Sequence, residues 1–432
     1  MNYVLRLLRA SILSLCWGIS AAAHLTSAEL PEEFHYVPVL RFFEQVLNDK
    51  VEDTKNFFSI HDAKLDAPYR PESQTEFPLA AFWVPSDELV ILNTNKQIPD
   101  LRLQDSDGGK TLFFVHPESA NFFAERFNKS EKTNAFVATP LASYRSLIVW
   151  DPKNPTPPMN LKVSLNKKIG ETSRMMTRSQ IERATAMSLI LKKVNMQFLN
   201  QRGIYFVDEP FSVFLKDLEV GYSLRELPKM NKESVLAPMF SLYASRRGKP
   251  IIVDLVEKSR LPAKTFLGEK IIRPMVEHMF ILVFEEGVVG EPHEQNVMVE
   301  IRDGKLTGKF YYRDLAGFAV NPEMRLAAGK DMSFIPATFN KKSLKVERAK
   351  VVDNLMSYLA GSNFYALGEA VKTYFPGITR EWIKDQIFGA MSAQVFMRTG
   401  FSAQSESQLK GLITRHMNEK IKARTQFSCS LF

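Results

Sequence analysis

The chain has 432 residues, 45% apolar and 24% charged, with 32 phenylalanines. That supports two or three packed domains and excludes a fibrous or low-complexity chain. The formal charge is +8, scattered rather than arranged in a stripe. It allows a diffuse attraction to anionic ligands. With no groove-reading or base-stacking motif beside it, no nucleic-acid partner is expected.

Residues 1–23 carry Arg6 and Arg9, then an apolar run ending in Ala21-Ala22-Ala23. This is the layout of a secretory leader, with cleavage expected after Ala23. The run is too short to span a bilayer comfortably, and no later window is long and apolar enough, so no integral membrane span is expected after cleavage. The mature chain is then expected to be exported, to a periplasm-like compartment, or to stay cytoplasmic if the leader does not work. Of the two cysteines, Cys16 lies in the leader and Cys429 near the end, so no intrachain disulfide is expected.

Two further parts follow the leader, residues 24–235 and 236–432. In the first, Pro38–Phe58 has a helical pattern with Val39, Leu40, Phe43 and Val46 on one face. Ala80–Val84, Leu89–Leu92 and Lys110–Val115 read as short strands, with Asp107-Gly108-Gly109 as a hairpin signal. Leu141–Trp150 is another strand. Asp151–Pro158, with four prolines, is a loop. Met159–Leu165 alternates, placing Leu161, Val163 and Leu165 opposite Lys162 and Ser164. Ser179-Gln-Ile-Glu182 predicts a capping box and a helix running to about Asn200.

The second part is more helical. Pro274–Glu286 is a helix closed by Gly287. Gln295–Arg302 and Lys305–Arg313 form a hairpin turning at Asp303-Gly304. Helical stripes follow at Val351/Leu355/Leu359 and Trp382/Ile383/Ile387/Met391, the second one capped by Thr379. The class is α+β.

Glu291-Pro-His293-Glu-Gln295-Asn296 carries the most chemistry, with Arg313-Asp314 following at the far end of the hairpin. Its carboxylates and amide are hard oxygen donors suited to magnesium. In the first part, Ser143-Tyr-Arg145-Ser146, Lys162 and Arg174 offer hydroxyls and cations for phosphate. Arg174 lies just before a helix, where an anion also meets backbone amides. Singly, each residue has a plainer reading: a solvated lysine, a surface arginine, a structural histidine. The spacing from Glu291 through Asn296 to Asp314 also loosely echoes the kinase catalytic loop, but no Gly-rich loop opens the chain.

As a set in this order, the residues resemble the IucA/IucC-type synthetases, which make siderophores by adenylating a carboxylate, typically of citrate, and passing it to an amine or alcohol. Pro140-Leu-Ala-Ser143-Tyr-Arg145-Ser146 is similar to the family's Ser-x-Arg-Thr motif, with Ser146 in place of Thr. Leu161-Lys162 through Arg174 is similar to its lysine strand and following arginine. Glu291-Pro-His293-Glu-Gln295-Asn296 is similar to Glu-Ala-His-x-Gln-Asn, and Arg313-Asp314-Leu-Ala-Gly317 to Arg-Asp-Phe-x-Gly. The resemblance implies a multi-lobed α+β fold with mixed and antiparallel sheets, a helical C-terminal part and a nucleotide cleft between lobes. It also implies ATP and Mg2+ as cofactors and a possible homodimer. Ser143, Arg145, Ser146, Lys162, Arg174, His293, Gln295, Asn296 and Asp314 would bind nucleotide. Glu291, Asn296 and Asp314 would hold the metal, and Lys162, Arg174 and His293 would serve catalysis. The substrates would be a polycarboxylate and an amine or alcohol.

The family's early His-Pro-x-His-Pro motif is absent, and its later His-Pro-Trp-Gln survives only as His116-Pro117-Glu118-Ser119. These departures and the leader support an alternative: an exported, non-catalytic descendant binding an anionic or siderophore-like ligand.

Overall fold

The computed structural model describes residues 30–47, 65–94, 103, 109–127, 132–169, 172–244, 248–330, 332–339 and 344–399, with 407–408, 410–411 and 413–415. The leader lies outside the described residues, as do residues 48–58 of the first expected helix.

The largest sheet has seven strands, all antiparallel to their neighbours. Its order is Phe77–Pro78, Val137–Pro140, Ser146–Asp151, Asn154–Lys162, Gly221–Arg225, Phe211–Leu215 and Leu89–Asn93. A three-stranded sheet built on Ala80–Pro85 and Lys110–Val115 packs against it. The Tyr222 hydroxyl donates to the Leu112 carbonyl at 2.9 Å, and its ring meets Phe113 and Phe114 edge-on. A four-stranded sheet is mixed: Ile204–Phe206 runs parallel to Lys305–Tyr312, which pairs antiparallel with Val297–Arg302, itself beside Ser234–Pro238. One large core joins this sheet to the C-terminal helices, and a second lies between the seven- and three-stranded sheets. The class is α+β, as expected. Among the described residues no helix is long and apolar enough to cross a membrane.

Several local expectations hold. The helix Arg273–Glu286 is closed by Gly287 as expected, although Pro274 is its second residue and the chain is already helical through Ala263–Leu267 and Gly268–Ile272. Asp303 and Gly304 take φ of 52° and 72°, the paired positive values that a two-residue type I′ hairpin needs. Thr379 Oγ1 accepts from the Trp382 N–H at 3.1 Å, capping the helix Arg380–Thr399.

Others are corrected. The first helix covers Val37–Gln45. The strands flanking Asp107-Gly108-Gly109 do not pair with each other: Leu89–Asn93 joins the seven-stranded sheet and Lys110–Val115 the three-stranded one. Leu141–Trp150 is a turn followed by a strand. The Leu141 N–H bonds the Ser146 carbonyl at 2.8 Å, and Tyr144 turns back with φ of 66°. The proline-rich loop is mostly strand, since Asn154–Lys162 is one element. Its register shifts between Val149 and Asp151, and Pro155, Pro157 and Pro158 lie in the intervening stretch, where their missing N–H groups cost least. The alternating strand ends at Lys162, and the Val163 N–H makes one further cross-strand bond, to the Arg145 carbonyl at 2.9 Å.

The capping box is formed by Thr177 and Gln180, and Glu182 instead pairs with Arg178 at 2.7 Å. That helix stops at Leu191, and Asn195 caps a separate helix, Met196–Gln201.

Candidate functional site

The Ser143–Ser146 turn is a hydroxyl-stapled loop. Ser143 Oγ lies 2.7 Å from Ser146 Oγ and accepts from the Ser146 N–H at 3.2 Å. The turn directs Arg145 inward, where its Nη1 donates to the Arg174 and Met175 carbonyls at 3.0 and 3.2 Å. One arginine therefore fixes the backbone that carries the next. Ser146, Lys162 and Ser223 are direct neighbours across three central strands, and Arg225 stands two residues along from Ser223.

The opposite wall is made of loops. Asp314 follows the strand Lys305–Tyr312 with φ of 66° and ψ of 65°, a left-handed conformation unfavourable for a non-glycine residue. A 3-10 turn after it ends at Gly317. A Cβ there would come within 2.5 Å of Glu291 Oε2, so the glycine makes room for that carboxylate. Glu291 Oε1 accepts from the Tyr358 hydroxyl at 3.0 Å. His293 Nδ1 accepts from the Gln295 N–H at 3.2 Å, curling the motif on itself. Arg313 lines the cavity with its donors already engaged. Its Nε donates to the Gln295 carbonyl at 2.8 Å and its Nη1 pairs with Glu44, whose other oxygen accepts from the Ala142 N–H at 3.1 Å.

The two walls meet around one cavity of about 430 Å³. All ten residues singled out in the sequence line it: Ser143, Arg145, Ser146, Lys162, Arg174, Glu291, His293, Gln295, Asn296 and Asp314. Lys162 Nζ pairs with Asp314, and Arg225 reaches the same carboxylate oxygen at 3.1 Å. Arg225 is braced from behind by the fully buried Glu209 at 3.0 Å. Five lysines and arginines line the cavity against three carboxylates, so the site has a positive balance.

Burial opposes these charges without removing them. It pushes the Lys162 ammonium down to about 8, against the pull of Asp314 and with help from Arg225 and Arg145. Lys162 therefore keeps its charge against Asp314 at neutral pH. Burial likewise brings Arg145 down to about 10 and lowers Arg174. For Asp314 burial pulls upward, but Lys162 and Arg225 win and hold the carboxyl well below the usual range. Glu291 goes the other way: burial, reinforced by the Asp314 charge, pushes it up to about 7.

Buried nitrogens are left without partners here, namely Arg145 Nε, Arg174 Nε and Gln295 Nε2. Unsatisfied buried donors are costly, and those that line a cavity are donors a polar ligand or water can satisfy.

Sequence reasoning missed Glu44, Arg225 and Tyr358, which also line the cavity. Glu44 had a readable signal, as a carboxylate four residues after Leu40 on an apolar helix stripe. Arg225 and Tyr358 had none. The degenerate His116-Pro117-Glu118-Ser119 segment does not line the cavity. His116 is fully buried, and its Nδ1 accepts from the Glu118 N–H at 3.2 Å.

The fold is mixed α+β, with a cationic cavity between a strand-built wall and a loop-built one, and it can be set beside known proteins. The sequence profile of the IucA / IucC family matches residues 58–244, and that of the ferric iron reductase FhuF-like transporter matches residues 268–376. A Vibrio mimicus N(2)-citryl-N(6)-acetyl-N(6)-hydroxylysine synthase is 25% identical over 309 residues, 60% of this chain and 49% of its own. The chain thus spans about half the length of that relative.

ATP-bound aerobactin synthetase IucA from Klebsiella pneumoniae superposes with a TM-score of 0.60 at 16% identity, covering 85% of this chain and 73% of its own. The petrobactin biosynthesis protein AsbB from Bacillus anthracis gives 0.62 at 16% identity, covering 83% and 71%. Over residues 58–244 the chain is thus similar to the IucA / IucC family, and its fold is that of these siderophore synthetases.

Proposed function

We propose that the cavity binds ATP and activates a polycarboxylate of the citrate type for condensation with an amine or alcohol. The unpartnered nitrogens of Arg145 and Arg174, in a cavity whose cations outnumber its carboxylates, carry this reading. Such a set neutralises a triphosphate and positions it, which is most of what an adenylating site must do. Ser143 and Ser146 hold phosphate oxygens by hydroxyl donation. Lys162 and Arg174 offset the charge on the departing pyrophosphate as a substrate carboxylate oxygen bonds to the α-phosphorus. The amine nitrogen or alcohol oxygen then bonds to the acyl carbon, the carbon–oxygen bond to AMP breaks, and AMP leaves with the electron pair. His293 lies on the phosphate or ribose side.

A magnesium ion suits the opposite wall. Asp314 raises Glu291, so the two carboxylates are close enough to repel, and Asn296 lines the same cavity. Among the described residues no group of three or more His, Cys, Asp or Glu side chains is gathered for a metal. Two carboxylates and an amide match an ion that draws its remaining ligands from phosphate and water. Bound there, it would supply further charge neutralisation at the phosphates.

The test is pyrophosphate exchange with ATP, magnesium and a panel of polycarboxylates, beside ATP binding by Arg174→Ala. Exchange with at least one acid and about a hundredfold weaker ATP binding by the variant are expected, since a charged hydrogen bond and a buried cation are lost together. Absence of nucleotide binding at millimolar ATP would falsify the enzyme reading. It would leave the exported, ligand-binding descendant that the leader pattern of residues 1–23 favours. Fusing residues 1–30 to a reporter active only after export separates the two compartments.

A further inference from the structure

A second cavity, of about 310 Å³, adjoins the first and shares Glu291 and Tyr358 with it. The hydrogen bond between those two side chains is therefore part of the dividing wall. At this size the cavity suits a small metabolite and not a macromolecule. Its far side is basic, with Arg183, Lys345 and Lys350 lining it beside Asn354. Arg183 is fixed by donation from Nη1 to the Ala316 carbonyl at 3.0 Å, while its buried Nε has no partner. The one carboxylate on the far side is Glu347, 3.0 Å from Lys350 in a pair that is mostly exposed and so weak.

A ligase of this kind needs room for a second organic substrate next to the activated carboxylate. The second cavity offers that room beside the first, since Glu291 and Tyr358 line both. Three cations against two carboxylates make it a poor place for a diamine or polyamine, because each added ammonium meets like charge. An amine with a carboxylate at its far end would place that carboxylate among Arg183, Lys345 and Lys350.

We propose that the second cavity is the acceptor subsite and that it selects amines bearing their own carboxylate over diamines of similar length. This rests on reading the first cavity as the adenylating site.

The experiment uses the full chain with ATP, magnesium and the polycarboxylate that supports exchange. Hydroxylamine traps the activated acid as a hydroxamate. The amine nitrogen bonds to the acyl carbon, the carbon–oxygen bond to AMP breaks, and AMP leaves with the electron pair. The competing probes are 6-aminohexanoate and 1,6-diaminohexane, which differ in their end group. 6-Aminohexanoate should suppress hydroxamate formation at about tenfold lower concentration than the diamine, a difference of about 1.4 kcal/mol. The double variant K345E/K350E should bring that ratio to one or invert it, a change that mere loosening of the fold would not produce. Equal or better competition by the diamine overturns the proposal, as does no competition by either probe or an unchanged ratio in the variant. Absence of exchange with any polycarboxylate instead removes the adenylation reading underneath, and the subsite falls with it.

Discussion

The two walls of the main cavity are built differently. The cationic wall stands on regular structure. Ser146, Lys162 and Arg225 sit on adjacent strands whose ladder fixes their spacing, and Arg145 projects from a four-residue turn closed by its own serines. The acidic wall stands on loops, with Glu291 held by Tyr358, His293 curled back onto the Gln295 N–H of its own segment, and Asp314 kept in a left-handed conformation. A ladder sets like charges close together at little conformational cost, and the neighbouring carboxylates make that tolerable. A loop carries the carboxylates to where the cations already are. Each wall therefore needs the other, and the residues joining them matter as much as the residues facing the ligand.

The largest effect is expected where the walls are joined. Glu44 takes both Arg313, beside Asp314, and the Ala142 N–H of the Ser143 turn, and it is fully buried. Glu44→Ala leaves Arg313 buried without its counter-charge and should cost about 3–5 kcal/mol, read as a lower urea midpoint. A loss below about 1 kcal/mol would mean the walls are held together by other contacts.

Away from the cavity walls, two histidines buried in neutral form make the stability of the fold depend on pH. The His278 Nε2–H donates to the Arg202 carbonyl at 2.8 Å, so its Nδ1 accepts from the Tyr312 hydroxyl at 2.9 Å. Burial pushes His278 down to about 4, and burial with the Lys167 charge pushes His116 down to about 3. Both values lie below the ordinary 6.5, so the unfolded chain takes up protons first as the pH falls. Their stability contribution is complete above about 6.5 and drains away toward about 4 and about 3 respectively. At pH 5 each histidine should have cost about 2 kcal/mol relative to pH 7. His278→Gln should flatten its share of the difference between unfolding midpoints at the two pH values, and an unchanged difference would show that His278 is not held neutral.

The smallest effect on stability, and a local one on function, is expected at Gly317. Gly317→Ala places a methyl 2.5 Å from Glu291 Oε2, the movable end of a side chain, so the fold should lose only about 1 kcal/mol. The magnesium concentration needed for exchange should rise several-fold. Unaltered magnesium dependence would take Glu291 out of the metal set and sharpen the division of labour between the walls.

Much of the cavity was legible because its residues cluster in short segments. Ser143, Arg145 and Ser146 form a turn through bonds spanning three residues, and Glu291 to Asn296 lie within six. What misled was local ambiguity. Pro155, Pro157 and Pro158 read as a loop, yet they occupy a strand where the ladder is already irregular. Ser179 and Glu182 have the spacing of a capping box, but Thr177 and Gln180 have it too, and Arg178 takes Glu182. Arg225 and Tyr358 were silent because an arginine on a strand and a tyrosine on a helix carry no mark of the cavity they will line.

The sequence by itself determined the α+β class, the Asp303-Gly304 hairpin and the Thr379 cap, because these depend on spacings of a few residues and on side-chain chemistry, and its motifs, through their resemblance to those of the IucA/IucC-type synthetases, picked out ten cavity residues. Tertiary structure decided that these residues converge. The pairing of Lys162 with Asp314 spans 152 positions and that of Arg313 with Glu44 spans 269, and contacts of that range follow from how sheets and helices pack, not from any local pattern. Burial, which sets the charge of Lys162 and Glu291 and leaves Arg145 and Arg174 with unpartnered nitrogens, exists only once that packing is complete.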